Sequence, residues 1–452
     1  MCYFFLSTRV NMNLTVYPSS GLQGSLEVPG DKSLSHRAAL FAALAEGESR
    51  VGNFLVSGVT DAMLRALTAL GIPWELAGTA LTVGGRGLHG FTAPAAALDC
   101  GNSATTIRLL AGALAASGVP AVLDGSQGLR RRPMERIAAP LRQMGVPIQT
   151  AEGGCAPLRL GARPAGQPLA ALRCRLTVAS AQVKTCLLLA ALSAASPSQI
   201  TEPALSRDHT ERMLRGMGVE VETRLGPDGS AAVLLTPPAR PLSPLRGDLP
   251  GDFSAASFLI VAALIAPGSC LELRGVGLNP TRTGLLTTLL EMGADIQIGN
   301  RRETFGEPLG DLTVTSSHLR GTQVAGERVV QMIDEFPAFA AAAACAEGPS
   351  MVSGAEELRF KESDRISALC SELRAVGVAA QETPDGFILP GAGAPAGGGV
   401  DPHGDHRLAM ALAVAGLASR APLTVRDAQI TAESFPDFAG VLRSLGARLE
   451  TA

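Results

Sequence analysis

Aromatic residues are scarce in this chain of 452 residues: 4% in all, with one tryptophan and two tyrosines. A core without large rings has to be filled by aliphatic side chains, and alanine lets helices approach closely. Charge is scarce too, at 17%, and 38 basic against 41 acidic residues leave a net charge of −3. No global positive field is available to attract nucleic acid or an acidic membrane surface, so any positive potential is local. The eight cysteines, at 2, 100, 155, 174, 186, 270, 345 and 370, include no CxxC pair. That scatter argues against a disulfide framework or zinc site and predicts reduced thiols in a cytoplasmic protein. No apolar run is long enough to span a bilayer. The segment MCYFFLSTRV lacks the basic start and small-residue cleavage site of a signal peptide, and residues 1–11 read as an upstream start or a disordered tail.

What is plentiful is glycine (51 residues), and six of these glycines set a rhythm. A helical run closing on a hydrophobic residue and glycine, followed by a short strand, ends at Gly71, Gly145, Gly218, Gly293, Gly377 and Gly446. Glycine just past a helix accepts the left-handed conformation that side chains resist. Each copy also holds an Ala/Leu-rich helix, such as AALFAALAEG or LAMALAVAGLAS, followed by a β-branched run. A repeat of this length is one supersecondary unit of strands and two helices.

The segments before the Ala-rich helices are polar: GDKSLSHR, GNSATTIR, SAQVK, GDFSAAS, MIDEFP and GDHR. Helix N-termini carry unpaired N–H groups and partial positive charge, so several aimed at one place make an anion site. Ser254 and Asn102, taken singly, fit plain N-caps. Lys32, Arg37, Arg108 and Arg407 do not, because the dipole disfavours a cation at a helix start. Two further clusters join them: Lys361, Glu362 and Arg365 in LRFKESDRIS, and three arginines before Pro133, which reads as the first residue of a helix.

The proline-rich stretch 235–250 reads as a crossing between domains, with a second crossing near 28–30. That gives one domain of residues 1–28 plus 250–452 and another of 29–249. Residues 391–404 read as a glycine-rich loop. GDKS fails the P-loop spacing, and Gly85, Gly87 and Gly90 lack the helix a dinucleotide site needs. His403 and His406 have no further ligand near them in sequence, so no metal is expected.

The segments VPGDKSLSHRAALFAALAEG, GNSATTIRLLAG, RRPMERIAAPLRQMG, SAQVKTCLLLAAL, LNPTRTGLL, KESDRIS, GDHRLAMALAV and SFPDF occur in this order, and together they resemble the 5-enolpyruvylshikimate-3-phosphate synthases. RDHTERML and MIDEFP are similar to the class II subgroup. The resemblance implies an α/β fold of two similar domains, each of three βαβαββ repeats, an inside-out α/β barrel with the active site in the cleft between them. It implies transfer of the enolpyruvyl group of phosphoenolpyruvate to the 5-hydroxyl of shikimate 3-phosphate, with no cofactor, no nucleic-acid or membrane partner, and a monomer. Carried over by position, Lys32, Ser33, Arg37, Ser180, Ala181, Gln182, Arg207, Asp334 and Lys361 would hold shikimate 3-phosphate. Lys32, Asn102, Ala104, Arg132, Gln182, Arg365 and Arg407 would hold phosphoenolpyruvate. Asp334 would take the hydroxyl proton and Glu362 would protonate the methylene carbon, with Lys32 beside both substrates. Cations drawn from two domains further predict an empty cleft held open by like-charge repulsion.

Two positions depart from the family pattern: Glu433 stands where many members have lysine, and Glu357 where class I members have asparagine. Ala104 stands where members sensitive to the herbicide glyphosate have glycine, which implies tolerance. The related UDP-N-acetylglucosamine enolpyruvyl transferases would need a Lys-Asn pair in the first motif and a reactive cysteine in the loop 126–133. This chain has Lys32-Ser33 and no cysteine there. A non-catalytic phosphometabolite-binding protein would have no need of both Asp334 and Glu362.

Overall fold

The computed structural model describes residues 12–164, 166–391 and 393–452; the reading of residues 1–11 lies outside them. Six Ala-rich helices run through the interior: α1 (Lys32–Leu44), α2 (Ala104–Ser117), α3 (Ala181–Ala191), α4 (Phe253–Ile265), α5 (Phe336–Cys345) and α6 (His406–Leu417). Beyond the polar and charged residues of their opening turns they are apolar all round, as buried helices are. Close approach takes the place of aromatic bulk: a Cβ at Gly112 of α2 would overlap the Cys186 carbonyl of α3. Outside them lie six amphipathic helices, and the signature glycine follows each one. Gly71, Gly145, Gly218, Gly293, Gly377 and Gly446 have φ of 80, 89, 91, 93, 83 and 99°. Any side chain there would be strained.

Each unit owns one four-stranded sheet with one parallel and two antiparallel pairings. In the second unit, strand Leu98–Asp99 lies parallel to Ala121–Asp124 across α2, and the hairpin Ile148–Ala151/Cys155–Leu160 completes the sheet. The third and fifth units repeat this order. The first and fourth exchange edge strands. Gln23–Glu27, just before α1, pairs with Cys270–Gly277 of the fourth unit, and Arg246–Asp248, just before α4, pairs with Glu46–Gly52 of the first. In the sixth unit, Leu14–Val16 lies between Leu423–Val425 and Leu449–Thr451. The 391–404 segment is not all loop, because Gly398–Val400 forms the parallel edge strand of that sheet.

The buried apolar side chains fall into two clusters. One draws on Leu34 to Leu249. The other joins Leu14–Val28 to Phe253–Leu449. The chain passes between the clusters at 28–31 and 249–252, where Gly30 bridges Gly251. Arg282, 2% exposed, pins both crossings. Its guanidinium binds Asp31, Asp252 (2.6 Å) and Ser254 Oγ (2.7 Å), while Asp31 caps α1 and Asp252 caps α4. Among the described residues no helix is long and apolar enough to cross a membrane.

Candidate active site

Residues at or just before the starts of α1, α2, α3, α5 and α6 line a cleft of about 360 Å³ between the two clusters, and the start of α4 does not reach it. Lys32, Ser33 and Arg37 of α1, Asn102 and Ala104 at α2, and Ser180, Ala181 and Gln182 at α3 line it from one half, with Arg132 and Arg207. Asp334, Lys361, Glu362 and Arg407 line it from the other. Arg365 does not line the cleft. It lies beneath it, 2% exposed, bonded to Asp405 (2.7 Å), Glu362 (2.6 Å) and Asp334 (3.3 Å).

The capping pattern differs in detail from the sequence reading. Asn102 and Ser254 are not caps: Ser103 and Asp252 cap α2 and α4. Asn102 accepts from Ser126 Oγ (2.8 Å), and Ser254 donates to Glu335. Pro133 is not the first helical residue either, because the helix begins at Glu135 with Met134 as its cap. Of the three arginines before that proline, Arg130 turns outward to Asp124 and Arg132 turns into the cleft.

Several cations carry scaffold rather than face open space. Arg37 donates to Thr210 Oγ1 (2.8 Å), Thr185 Oγ1 (2.7 Å) and the Ser33 carbonyl (2.9 Å). Arg108 donates to Gln182 Oε1 (2.6 Å) and to the Pro133 carbonyl (3.0 Å), fixing the amide of Gln182 and the loop that carries Arg132. Beneath Arg207, the fully buried Lys184 binds Glu202 (2.7 Å), Glu211 (2.8 Å) and the Ser206 carbonyl (3.1 Å).

The two candidate catalytic carboxylates hold the remaining cations together. Asp334 faces Arg207 (2.8 Å), Arg365 (3.3 Å), Lys361 (3.6 Å) and Arg407 (3.7 Å). Glu362 faces Arg365 (2.6 Å) and Arg132 (3.2 Å). Burial alone would raise both carboxyls. For Asp334 the charges of Arg407, Arg207, Lys361 and Arg365 outweigh it, and for Glu362 those of Arg365, Arg132 and Lys32 do. Both are held well below the usual range. Both are therefore ionised in the empty cleft, and a bound anion that drew off their cations would make each easier to protonate. Burial and then Arg407 lower the Lys32 ammonium.

The expectation of an empty cleft forced open by repulsion does not fit these pairs. Arg132–Glu362 and Arg207–Asp334 run from one half to the other, and so does the two-pronged Arg136–Glu357 pair (3.1 Å on each prong). Each of these three arginines meets a carboxylate across the gap, so their share of the repulsion is compensated. Glu357, which breaks the class I pattern, is one arm of this bridge. His403 pairs with Glu372 (2.9 Å) away from the cleft, whereas His406 lines it. Among the described residues no cysteine lines the cleft.

A sequence model of the family EPSP synthase (3-phosphoshikimate 1-carboxyvinyltransferase) matches residues 16–442. The chain is similar to the 3-phosphoshikimate 1-carboxyvinyltransferase of Geobacter metallireducens, 46% identical over 96% of this chain and 99% of that one. It is as similar to the Methylococcus capsulatus protein of the same name, 46% identical over 96% of this chain and 98% of that one. Among solved structures, an EPSP synthase from Acinetobacter baumannii superposes with a TM-score of 0.86 at 40% identity, covering 98% of this chain and 100% of that one. Matched in sequence along nearly its whole length, and in fold as well, the chain belongs to the EPSP synthase family.

Proposed function

We propose that the chain transfers the carboxyvinyl group of phosphoenolpyruvate to the 5-hydroxyl of shikimate 3-phosphate and releases phosphate. The observation that carries this reading is the pairing of two ionised carboxylates, Asp334 and Glu362, inside one cation-lined cleft. Two small polyanions would replace the carboxylates as partners of Arg207, Lys361, Arg132 and Arg407, with the arginine forks suited to carboxylate and phosphate. Asp334 takes the proton of the attacking 5-hydroxyl as its oxygen bonds to C2 of the donor. Glu362, neutralised once the anions are bound, gives a proton to C3. The tetrahedral adduct then loses a proton from that methyl carbon and the C2–O bond to phosphate breaks, restoring the double bond.

The halves built on the two apolar clusters, Leu14–Val28 with Phe253–Leu449 and Leu34–Leu249, act as two bodies whose closure excludes water from this chemistry. Ala104, 3% exposed at the first turn of α2, narrows the donor end and gives tolerance to glyphosate. The working unit is a monomer. The test is a coupled assay of phosphate release with both substrates. Release that requires shikimate 3-phosphate supports the reading, and release from phosphoenolpyruvate alone overturns it.

A further inference from the structure

Glu433 is the last residue of a 3₁₀ turn (Ala428–Glu433), and it reaches the cleft with 28% of its side chain exposed. His406, at the first position of α6, stands 3.5 Å from it through Nδ1. That imidazole is 2% exposed, and neither ring nitrogen has a hydrogen-bond partner. A buried, unpartnered ring lining a cavity marks a place where a ligand or a shared proton completes the bonding. Around the pair stand Lys32 from α1, Arg132 from the loop before the Glu135 helix, Glu362 from the segment before the Arg365 helix, and Asp405 and Arg407 at the start of α6.

Burial acts most strongly on Glu433. Lys32 and Arg132 pull its carboxyl down and Glu362 and Asp405 push it up, leaving it at about 7. His406 is kept neutral by burial and by Lys32 and Arg407. A carboxylate facing an incoming polyanion would add like charge to like, and protonation removes that conflict.

We propose that Glu433 is a donor-binding residue that works in its protonated form, set beside the neutral His406 and offering its O–H to an anionic group of phosphoenolpyruvate, so that donor binding draws a proton from solution. This rests on the reading of the cleft as a phosphoenolpyruvate site.

The test is calorimetry at pH 8 in buffers of different ionisation heat, where the donor phosphate is already ionised. Phosphoenolpyruvate is titrated into Glu362→Gln enzyme saturated with shikimate 3-phosphate, a background in which Glu362 neither turns over the donor nor takes up a proton. Close to one proton is taken up per donor bound, and the Glu362→Gln/Glu433→Gln enzyme takes up none. Equal uptake in the two proteins overturns the proposal.

Should the double variant not fold, the pH profile of the Glu433→Gln single variant decides. The wild-type KM for phosphoenolpyruvate rises about tenfold per pH unit above the Glu433 midpoint, a rise the KM for shikimate 3-phosphate does not follow. In Glu433→Gln that tenfold-per-unit share of the rise is lost, leaving only what Glu362 contributes, and an unchanged slope overturns the proposal. Normal turnover by Glu362→Gln would instead strike the underlying mechanism, so the two failures are distinguishable.

Discussion

Replacing Arg282 by methionine removes the cation bonded at both crossings between the two apolar clusters. Methionine fills similar space without the charge, so the loss is electrostatic rather than a cavity. Asp31 and Asp252 keep their cap bonds from Leu34 N (2.8 Å) and Ser254 N (2.7 Å), and Asp252 also keeps Lys32 N at 3.2 Å. Neither carboxylate has water to turn to, because both are almost fully buried. Breaking a buried ion pair from one side costs about 3–5 kcal/mol, and the surviving caps place Arg282→Met toward the lower end. That is a large part of the roughly 5–15 kcal/mol available to a folded domain.

The pH dependence follows from Asp252. Burial would raise its carboxyl, but Arg282, Arg407 and Lys32 outweigh burial and hold it below the ordinary value. A carboxyl lowered in the fold contributes stability that is present above its unfolded value and is lost as pH falls through the folded one. Wild type should therefore lose stability below about pH 4, with a weaker acid dependence in Arg282→Met. Adding Asp252→Asn to Arg282→Met removes one stranded charge and should recover part of the loss. The assay is urea unfolding of the three proteins between about pH 2 and pH 8, a range that brackets the ordinary aspartate value. A cost below about 1 kcal/mol for Arg282→Met, the scale of an exposed pair, would refute the claim that this arginine supports the crossings.

Glu362→Gln should lower turnover by about 10²–10⁴-fold, as expected for loss of a general acid, with shikimate 3-phosphate affinity retained. Steady-state kinetics and direct titration check both. Ala104→Gly should restore tight glyphosate inhibition, since an added methyl in a packed site costs about 1–3 kcal/mol. Equal inhibition of both forms would remove the methyl group as the discriminator. Gly112→Ala should force α2 and α3 apart and lower the melting temperature by several degrees, because the new Cβ meets backbone rather than a movable side chain. Severing the bridge with Glu357→Gln should enlarge the radius of gyration of the empty protein in small-angle scattering, while saturating substrates restore the closed value.

The repeat, with its strands and two helices, could be read from the chain because each unit is local, whereas the βαβαββ order came only from the family resemblance. A glycine that must adopt positive φ after a helix leaves its mark within a dozen residues, and all six did. The exchange of Gln23–Glu27 with Arg246–Asp248 left no such mark, since periodicity says nothing about which of two similar edges a strand will join. Arg282 shows the same limit. It lies in LNPTRTGLL, whose order was recognisable, but its partners Asp31 and Asp252 are far off in sequence and each also reads as an ordinary cap. Asn102 and Ser254 misled because a polar residue beside a helix start can cap it or leave the task to its neighbour. Glu357 and Glu433 stood out as departures, yet what each one touches required coordinates.

The strand exchange also orders events during synthesis. The sheet of the first unit lacks its edge until Arg246–Asp248 has emerged from the ribosome, so the half built on Leu34–Leu249 can finish only then, with the rest of the chain still to come. The other half waits far longer, because Leu14–Val16 pairs with Leu449–Thr451, which is made much later. Through most of elongation Leu14–Val16 and Gln23–Glu27 are strands without a sheet, tethered beside a growing first half. Such unpaired strands are what chaperones shield. Nascent chains arrested near residue 300 should resist protease across 34–249 and remain open to cleavage before residue 28.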